Sequence, residues 1–536
     1  RCWGRNNNGQ LGQGNTDNMG DAAGEVASLK KVDLGGNRTA VKLALGSAHT
    51  CALLDNGELK CWGLNVDGQL GVGDTENRGD GANEMGVDLP SVDVGSGWTV
   101  VEVAAGDLHT CARLENGAAR AVKCWGDNFY GQLGVGDKIY RGGAGTMGDS
   151  LLAVQLGTNR SALALALGGR HSCALLDDQS VKCWGRNDDG QLGQGNTDDR
   201  GDGDGAMGDS LPAVELGTGR TVKQLAAGSD HNCALFDDGQ LKCWGKNEVG
   251  VGRLGLGDTG NRGDGANEMN ATLPSVDVGS GWTVVEVAAG SSHTCARLEN
   301  GTALAVKCWG NNGYGELGIS STGSRGTFKT HMGDSLPAVQ LGTNRSAVAL
   351  ALNYYYSCAL LDDASVKCWG LNDYGELGFD EGSLGQYDYR GDEEGEMGDS
   401  LPKVALCPGA CPAGYTGADG ATCTACKAGA YKATQGSANC TACPLNKTSL
   451  AGSTELADCK CDAGYTAASD GVPCDACEAG KFKSAVGTAA CAPCLAGTYT
   501  ATAGAGTCAV CPSNTVSTAE SNELAGCTCA AGYTAA

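Results

Sequence analysis

The chain has 536 residues, 88 of them glycine and 29 cysteine, and a net charge of −24. That charge repels nucleic-acid phosphates and anionic membrane surfaces, and this many cysteines point to an oxidising location, secreted or on the cell surface. No apolar run reaches the ~20 residues that span a bilayer; Arg1 is not a natural start, so an N-terminal part is expected to have been removed or to lie outside this sequence.

A length of this order exceeds one ordinary core, so repetition has to be settled first. Cys-Trp-Gly occurs seven times, at Cys2, Cys61, Cys124, Cys183, Cys243, Cys308 and Cys368, at intervals of 59 to 65 residues. Each unit reads in one order. An apolar strand such as VKLALG leads into a hairpin, HTCALLDNGELKCWG; then come a GxNxxGQLG phrase, a loop such as DTENRGDGANEMG, and a short closing strand, LPSVDVG. Four short strands per unit make one propeller blade.

The GxNxxGQLGxG phrase, the HTCAL hairpin and the Trp-Gly resemble the regulator-of-chromosome-condensation repeat, over residues 1–406. The resemblance implies an all-β, seven-bladed β-propeller. Gly68 and Gly71 suit backbone angles closed to other residues, and Leu70 and Trp62 are the bulky groups available between blades. Six His/Tyr-x-Cys strands accompany seven Cys-Trp-Gly motifs, so the first blade is expected to be cut by the start of the sequence. Nuclear members of the family exchange nucleotide on a small GTPase; an acidic, cysteine-rich chain does not inherit that role from its fold.

With Asp55-Asn56-Gly57 as the hairpin turn, Leu54 faces Glu58 and Cys51 falls opposite Cys61, close enough for a disulfide. The same register pairs Cys173 with Cys183, Cys233 with Cys243, and Cys358 with Cys368. The copies Cys111/Cys124 and Cys295/Cys308 are three residues longer, expected as an extended loop tip.

After residue 406 the text changes: sixteen cysteines occupy residues 407–536 with almost no apolar runs. A segment that cannot bury a core is held by cross-links. Its CxxC pairs and AGxY phrases at Tyr415, Tyr431, Tyr465, Tyr499 and Tyr533 resemble ephrin-receptor-like and EGF-like modules, which stack into rods. Neighbour pairing gives Cys411–Cys423, Cys426–Cys440, Cys443–Cys459, Cys461–Cys474, Cys477–Cys491, Cys494–Cys508 and Cys511–Cys527. Cys2, Cys407 and Cys529 are left over: Cys2 and Cys529 are expected to find partners beyond the termini, and Cys407 either bonds Cys2 or a neighbouring module. Four-thiolate zinc sites are the alternative reading of CxxC-x13-CxxC, but the arrays overlap and cannot all form, whereas sequential disulfides use every member.

Candidate chemistry is sparse. His49, His109, His171, His231 and His293 share one repeat position with Tyr356, which suits a structural hydrogen bond better than a base; His331 stands alone in a loop. Gly250-Val-Gly252-Arg-Leu-Gly255 matches GxGxxG without the βαβ unit that gives it meaning. Arg-Gly-Asp at Arg78, Arg200, Arg262 and Arg390 falls at one repeat position, which duplication explains better than adhesion. Asp198, Asp199, Asp202 and Asp204 place four carboxylates among glycines, a set that suits calcium, with related loops at Asp74, Asp80 and Glu84 and at Asp258, Asp264 and Glu268. N-linked glycans are expected at Asn37, Asn159, Asn270, Asn300, Asn344, Asn439 and Asn446. The sequence thus leads to a non-enzymatic extracellular structural glycoprotein of a coat, appendage or filament, self-associating head to tail or bound to other extracellular proteins or glycans. The alternative is a secreted recognition or inhibitor module, with Tyr354, Tyr355, Tyr356, Tyr374, Tyr387 and Tyr389 as a contact surface.

Overall fold

The structure, a computed structural model, describes the chain except residues 23–24, 380–388, 405–413, 417–423, 435–437, 468–472 and 532–536 and the side chains of 27–28. It divides into two compact units, Arg1–Leu406 and Cys407–Ala536. Apart from the single turn of helix Glu25–Ser28 and short 3₁₀ turns, the described secondary structure is β.

The first unit contains six antiparallel three-stranded sheets. In order, they are Ala40–Leu45, His49–Leu54, Leu59–Gly63; Thr99–Ala105, His109–Asn116, Ala119–Gly126; Ala162–Leu167, His171–Leu176, Val181–Gly185; Val222–Ala227, His231–Phe236, Leu241–Gly245; Thr283–Ala289, His293–Asn300, Ala303–Gly310; and Ala347–Leu352, Tyr356–Leu361, Val366–Gly370. The closing LPxVxLG segment is not a fourth strand. It touches the third strand through single bonds, such as Val92 N–H to the Leu59 carbonyl and Val214 N–H to that of Val181, and is held instead by a buried lysine. The Lys123 ammonium donates to the Val94 carbonyl, Lys182 to Leu156 and Lys242 to Leu216, while Lys60 and Lys182 reach Gly86 and Gly208 in the loop just before such a segment. Those bonds satisfy a charge that burial alone would penalise.

Cys51 lies directly opposite Cys61, and the five equivalent pairs repeat that register; all six are disulfides with Cα atoms 4.1 Å apart. The two longer copies do not extend the loop. Their strands lengthen instead, Asn116 pairing with Ala119 and Asn300 with Ala303 around a tight turn, because the paired side chains keep their alternation.

Neighbouring sheets are locked by one motif. The carbonyl of Gln69, in the GxNxxGQLG turn after the first sheet, accepts the Trp125 indole N–H at 3.1 Å and the Thr110 hydroxyl at 2.9 Å, both from the second sheet. That hydroxyl has given its proton to a carbonyl, so it accepts from the Nε2–H of His49, 3.0 Å away. The motif repeats with Gln132, Trp184, Ser172 and His109, and with Gln191, Trp244, Asn232 and His171. Gly71 sits where any Cβ would lie 2.6 Å from the Trp125 Nε1, at φ +68°, so the position admits only glycine. The indole links close on themselves: Trp62 bonds Gln10, and Trp3 bonds Glu376 of the last repeat at 2.9 Å. Seven such links form the ring, although the segment before the first sheet contributes a Gly4–Met19 bridge and no sheet.

The second unit is a succession of two-residue strand pairs. Disulfides join Cys426–Cys440, Cys443–Cys459, Cys461–Cys474, Cys477–Cys491, Cys494–Cys508 and Cys511–Cys527, so these cysteines are not zinc ligands. Cys407, Cys411 and Cys423 lie outside the described residues. Cys2 and Cys529 carry no disulfide, and the expected bond of Cys407 falls outside the described residues. Among the described residues a glycine amide in each Ala-Gly-Tyr-type phrase donates onward, Gly414 to Lys432, Gly429 to Ser449, Gly464 to Lys483 and Gly497 to Ser517, and Gly480 of Ala-Gly-Lys-Phe does the same to Thr500.

The histidine ring makes folding pH-dependent. Burial depresses His49 to about 4, and His109 and His293 to about 3, while unfolded histidine titrates near about 6.5. The unfolded chain therefore takes up protons that the fold refuses, and stability present above pH ~6.5 is lost as pH falls towards the folded values. Melting temperature is expected to drop across that window. His109→Gln keeps an N–H donor without titrating, and its drop should be shallower; equal slopes would contradict the assignment.

Candidate interaction face

Each inner strand runs from a link turn to the ring axis, turns, and returns as the second strand to a hairpin tip. Link turns and hairpin tips therefore share one face of the ring, and the inner turns share the other with the loops that follow Cys-Trp-Gly. On the first face, arginines of the link turns pair with aspartates of the tips: Arg160 with Asp178 at 2.8 Å, Arg220 with Asp238 at 3.2 Å, Arg345 with Asp362 at 3.0 Å. Asn37, Asn159 and Asn344 lie in those link turns, exposed and in left-handed backbone at φ 55–57°. Asn300 ends a hairpin strand, and Asn270 N–H donates to Glu215 beside the closing segment. In the second unit Asn439 is exposed and Asn446 half-buried.

On the axial face, six inner turns converge around a narrow cavity of about 100 Å³. Backbone bonds pass from turn to turn: Ser47 N–H to Asp107, Asp107 N–H to Gly169, Gly169 N–H to Ser229, Ser291 N–H to Asn353. Five of the turns carry Ser, Asp or Gly at the position facing the axis, and the sixth carries Tyr354. Its phenol is hydrogen-bonded to Asp107 and reaches Ser47 and Ser229 on other sheets, and burial and the Asp107 charge push its pKa up. Asp107 is itself raised, by burial and then by Asp230, against the opposing effects of the Tyr354 bond and Arg170. One tyrosine thus plugs a ring that six would overfill.

Outside the plug, aromatic side chains form two sectors. Tyr314 meets Tyr355 edge-on at 5.2 Å and Tyr389 at 5.1 Å. Across the ring, Tyr130 meets Phe129 edge-on at 4.9 Å, and the Arg170 and Arg186 guanidinium groups lie 5.5 and 5.6 Å from the Tyr130 ring centre. Arg186 also holds Asp188 at 2.9 Å and Asp230 at 3.4 Å, and Arg5 lies 5.1 Å from the Tyr374 ring. Phe129 is 58% exposed and Val249 84%, so the face offers apolar area beside fixed charges. Tyr356, in the histidine position, is not part of the surface: its hydroxyl accepts from Asn353 within its own turn. Tyr387 lies outside the described residues. The Phe129–Tyr130 sector escaped the sequence reading, since its arginines arrive from residues 40 and 56 positions away; an aromatic pair in the loop after one Cys-Trp-Gly alone was the available signal.

The acidic loop does not gather its carboxylates. Asp199 accepts the Asn187 N–H at 2.9 Å, Asp202 pairs with Lys138 at 3.2 Å, Asp198 lies 3.7 Å from Arg200, and Asp204 is exposed. In the related loops Asp74 pairs with Arg78 and Asp258 with Arg262, while Glu84 and Glu268 accept loop amides. Among the described residues no group of three or more His, Cys, Asp or Glu is placed to hold a metal. The Arg-Gly-Asp arginines have a backbone role, Arg78, Arg200, Arg262 and Arg390 each bridging the glycine of Cys-Trp-Gly.

Six segments, 40–69, 100–132, 163–191, 222–251, 284–316 and 347–376, match the regulator of chromosome condensation (RCC1) repeat. Residues 414–459, 464–505 and 484–523 match the tyrosine-protein kinase ephrin type A/B receptor-like family. The chain is 30% identical over 346 residues to the ultraviolet-B receptor UVR8 of Arabidopsis thaliana, covering 64% of this chain and 67% of that protein. It is 29% identical over 316 residues to the human E3 ubiquitin-protein ligase HERC2, 59% of this chain but 6% of that protein. In fold it is similar to Prp20p of Saccharomyces cerevisiae, with TM-score 0.52 at 19% identity over 75% of this chain and 85% of that one. It is also similar to human WBSCR16, with TM-score 0.50 at 20% identity over 70% and 84%.

If Tyr354 closes the axis as described, Tyr354→Phe leaves the Asp107 carboxylate without its phenolic donor at a cost of about 1 kcal/mol. Urea unfolding at neutral pH measures this, and an unchanged midpoint would show that the phenol contributes nothing.

Proposed function

Since the chain belongs to the regulator of chromosome condensation (RCC1) repeat family, we propose that it is a non-enzymatic extracellular interaction protein, a disulfide-fixed propeller that binds a protein partner on its axial face. The observation that carries this reading is the partition of the two faces. Aromatic rings, arginines and carboxylates collect on the axial side, and the propeller sequons fall on the hairpin-tip face or beside the closing segments. Aromatic and arginine side chains are the residues that dominate protein interfaces, and glycans on the other side would leave them free. The relatives named above use the repeat in a receptor and within a ubiquitin ligase of which this chain spans only 6%. The twelve described disulfides support a location outside the cell.

A structural role in a coat or filament is the second reading. It is favoured by the amide-to-carbonyl ladder of the second unit, in which each strand pair is completed by the next, an arrangement that extends without closing.

Lysine cross-linking of native extracellular material, read by mass spectrometry, tests both. Cross-links to another protein at Lys138 and Lys246 on the axial face, sparing Lys403 beside the hairpin tips, are expected. A Tyr314→Ala/Arg186→Ala variant should bind that partner at least about tenfold more weakly, as loss of a hot-spot pair implies. Links from the axial lysines to the second unit of another copy, distinguished by mixing isotopically labelled and unlabelled chain, would favour the filament, and links confined to Lys403 would contradict the proposed face.

A further inference from the structure

The axial face repeats one contact whose side chains vary. The residue before the glycine of the turn after Cys-Trp-Gly meets the first residue after the next Cys-Trp-Gly. Tyr130 meets Arg186 in this way, Tyr374 meets Arg5, and Asp67 meets Asp127. By the same register Asp189 faces Lys246 and Tyr314 faces Leu371. In this set Asp67 and Asp127 alone put like charge against like. The backbone fixes them there: a Cβ on Gly68 would lie 2.8 Å from the Arg141 carbonyl, and Gly126, next to Asp127, bridges that same Arg141.

Asp127 accepts the Phe129 N–H at 2.9 Å, the Gln132 amide at 2.8 Å and the Tyr140 hydroxyl, all neutral donors. Among the described residues no lysine or arginine forms an ion pair with Asp67 or Asp127, and burial and the Asp127 charge push the Asp67 pKa up. Val66, 60% exposed, and Tyr140, 42% exposed, stand beside the two carboxylates, an apolar collar of the kind that suits the stem of a lysine or arginine. At the next interface the sign reverses. Arg170 and Arg186 both lie against Tyr130; Arg186 is held by Asp188 and Asp230, whereas the exposed Arg170 guanidinium has, among the described residues, one hydrogen bond, to the Tyr130 hydroxyl at 3.4 Å. An acceptor is short here as well. Arg186 stands where Asp127 takes the Gln132 amide, and the corresponding Nε2 of the buried Gln191 has no acceptor among the described residues. The two sites are neighbours: burial, then Asp127 and Asp67, raise the Tyr140 pKa, and Arg170 lowers it.

We propose that the occupant of this sector is a partner protein presenting a basic and an acidic side chain side by side, the basic one reaching Asp67 and Asp127 between Val66 and Tyr140, the acidic one reaching Arg170 beside Phe129. This rests on the axial face being the contact surface. The planar guanidinium fork of Arg170 takes a carboxylate through two parallel bonds, and the 58% exposed Phe129 supplies apolar contact at its edge. A neutral glycan satisfies neither site, and a second copy of this chain brings a further net charge of −24 to the contact. Two adjacent sites of opposite sign fix the register of the partner and reject surfaces that carry the charges in the reverse order.

The probe is a phage-displayed library of short disulfide-cyclised peptides, selected on the oxidised chain. Peptides whose binding is lost on the Tyr314→Ala/Arg186→Ala variant report the axial face, and these are expected to carry a Lys or Arg together with an Asp or Glu. Their affinity should fall at least about tenfold on Arg170→Glu and return when the acid of the peptide is changed to lysine. Asp67→Lys should be rescued in the same way by changing the basic residue of the peptide to glutamate. Both single variants should melt no lower than the parent chain, since Arg170 is exposed and Asp67 partly so. Axial-face peptides without the charge pair, or without rescue, would overturn this inference and leave the face standing. Selected peptides indifferent to Tyr314→Ala/Arg186→Ala, or a library that yields no binder, would remove the face and the inference together. A dimer of the chain alone that Arg170→Glu dissociates would give the sector to a second copy and overturn the proposal as well.

Discussion

One backbone carbonyl per repeat carries the architecture. In the turn that follows Cys-Trp-Gly, Gln-Leu in four repeats and Arg-Leu or Glu-Leu in three, it accepts an indole N–H, joined at every turn but that of Glu376 by a side-chain N–H or O–H of the same neighbouring sheet. An unpaired carbonyl at that depth would cost on the order of 1–3 kcal/mol, so the turn can settle only where both donors reach it. Hydrophobic packing of Leu70, Trp125 and their equivalents drives the sheets together, but it is not directional. The paired donors and the neutral histidine behind them set the distance and register, and the same bonds repeat between consecutive sheets; across residues 1–35 the ring is continued by the Trp3–Glu376 link and by the Thr50 and Trp62 bonds to Gln10.

The disulfides act at a different level. Each hairpin bridge lies within one sheet, and its buried sulfurs pack in the apolar layer shared with the next sheet. It closes a loop of 10 to 13 residues, worth about 2–3 kcal/mol through the unfolded chain. In the second unit the bridges take the place of an apolar core, since among the described residues its buried hydrophobic side chains are cysteines, accompanied by buried polar groups such as Lys432, Lys483 and Thr500. One chain therefore uses oxidation in two ways: to stiffen sheets that pack well and to create order where packing is insufficient. Both uses require an oxidising environment.

Much of this was legible in the sequence because it is periodic. Cys51 opposite Cys61 follows from counting outward from Asn56-Gly57, and the one shared position of His49, His109, His171, His231 and His293 marks a structural role. What escaped was fixed by partners distant in the chain. LPSVDVG reads as a strand by composition, yet it makes a single ladder bond from Val92 to Leu59 and gives its Val94 carbonyl to the Lys123 ammonium. The three extra residues before Cys124 read as loop, yet they continue the pairing to Asn116 and Ala119. Asp198 to Asp204 read as converging ligands, yet Asn187, Arg200 and Lys138 draw them apart. For the candidate face the tyrosines near residue 354 were visible as a cluster, but the plug required knowing that six turns meet at one axis, and the Tyr130 sector required knowing which arginines arrive beside it.

The account stands on the carbonyl lock acting as one cooperative ring. Hydrogen exchange of the indole N–H groups, followed by NMR on chain labelled at tryptophan, tests this directly. Trp62, Trp125, Trp184, Trp244, Trp309 and Trp369 should exchange together, with one free energy equal to that of global unfolding, while Trp98 and Trp282 exchange faster. Six separate rates, each set by local opening, would contradict it.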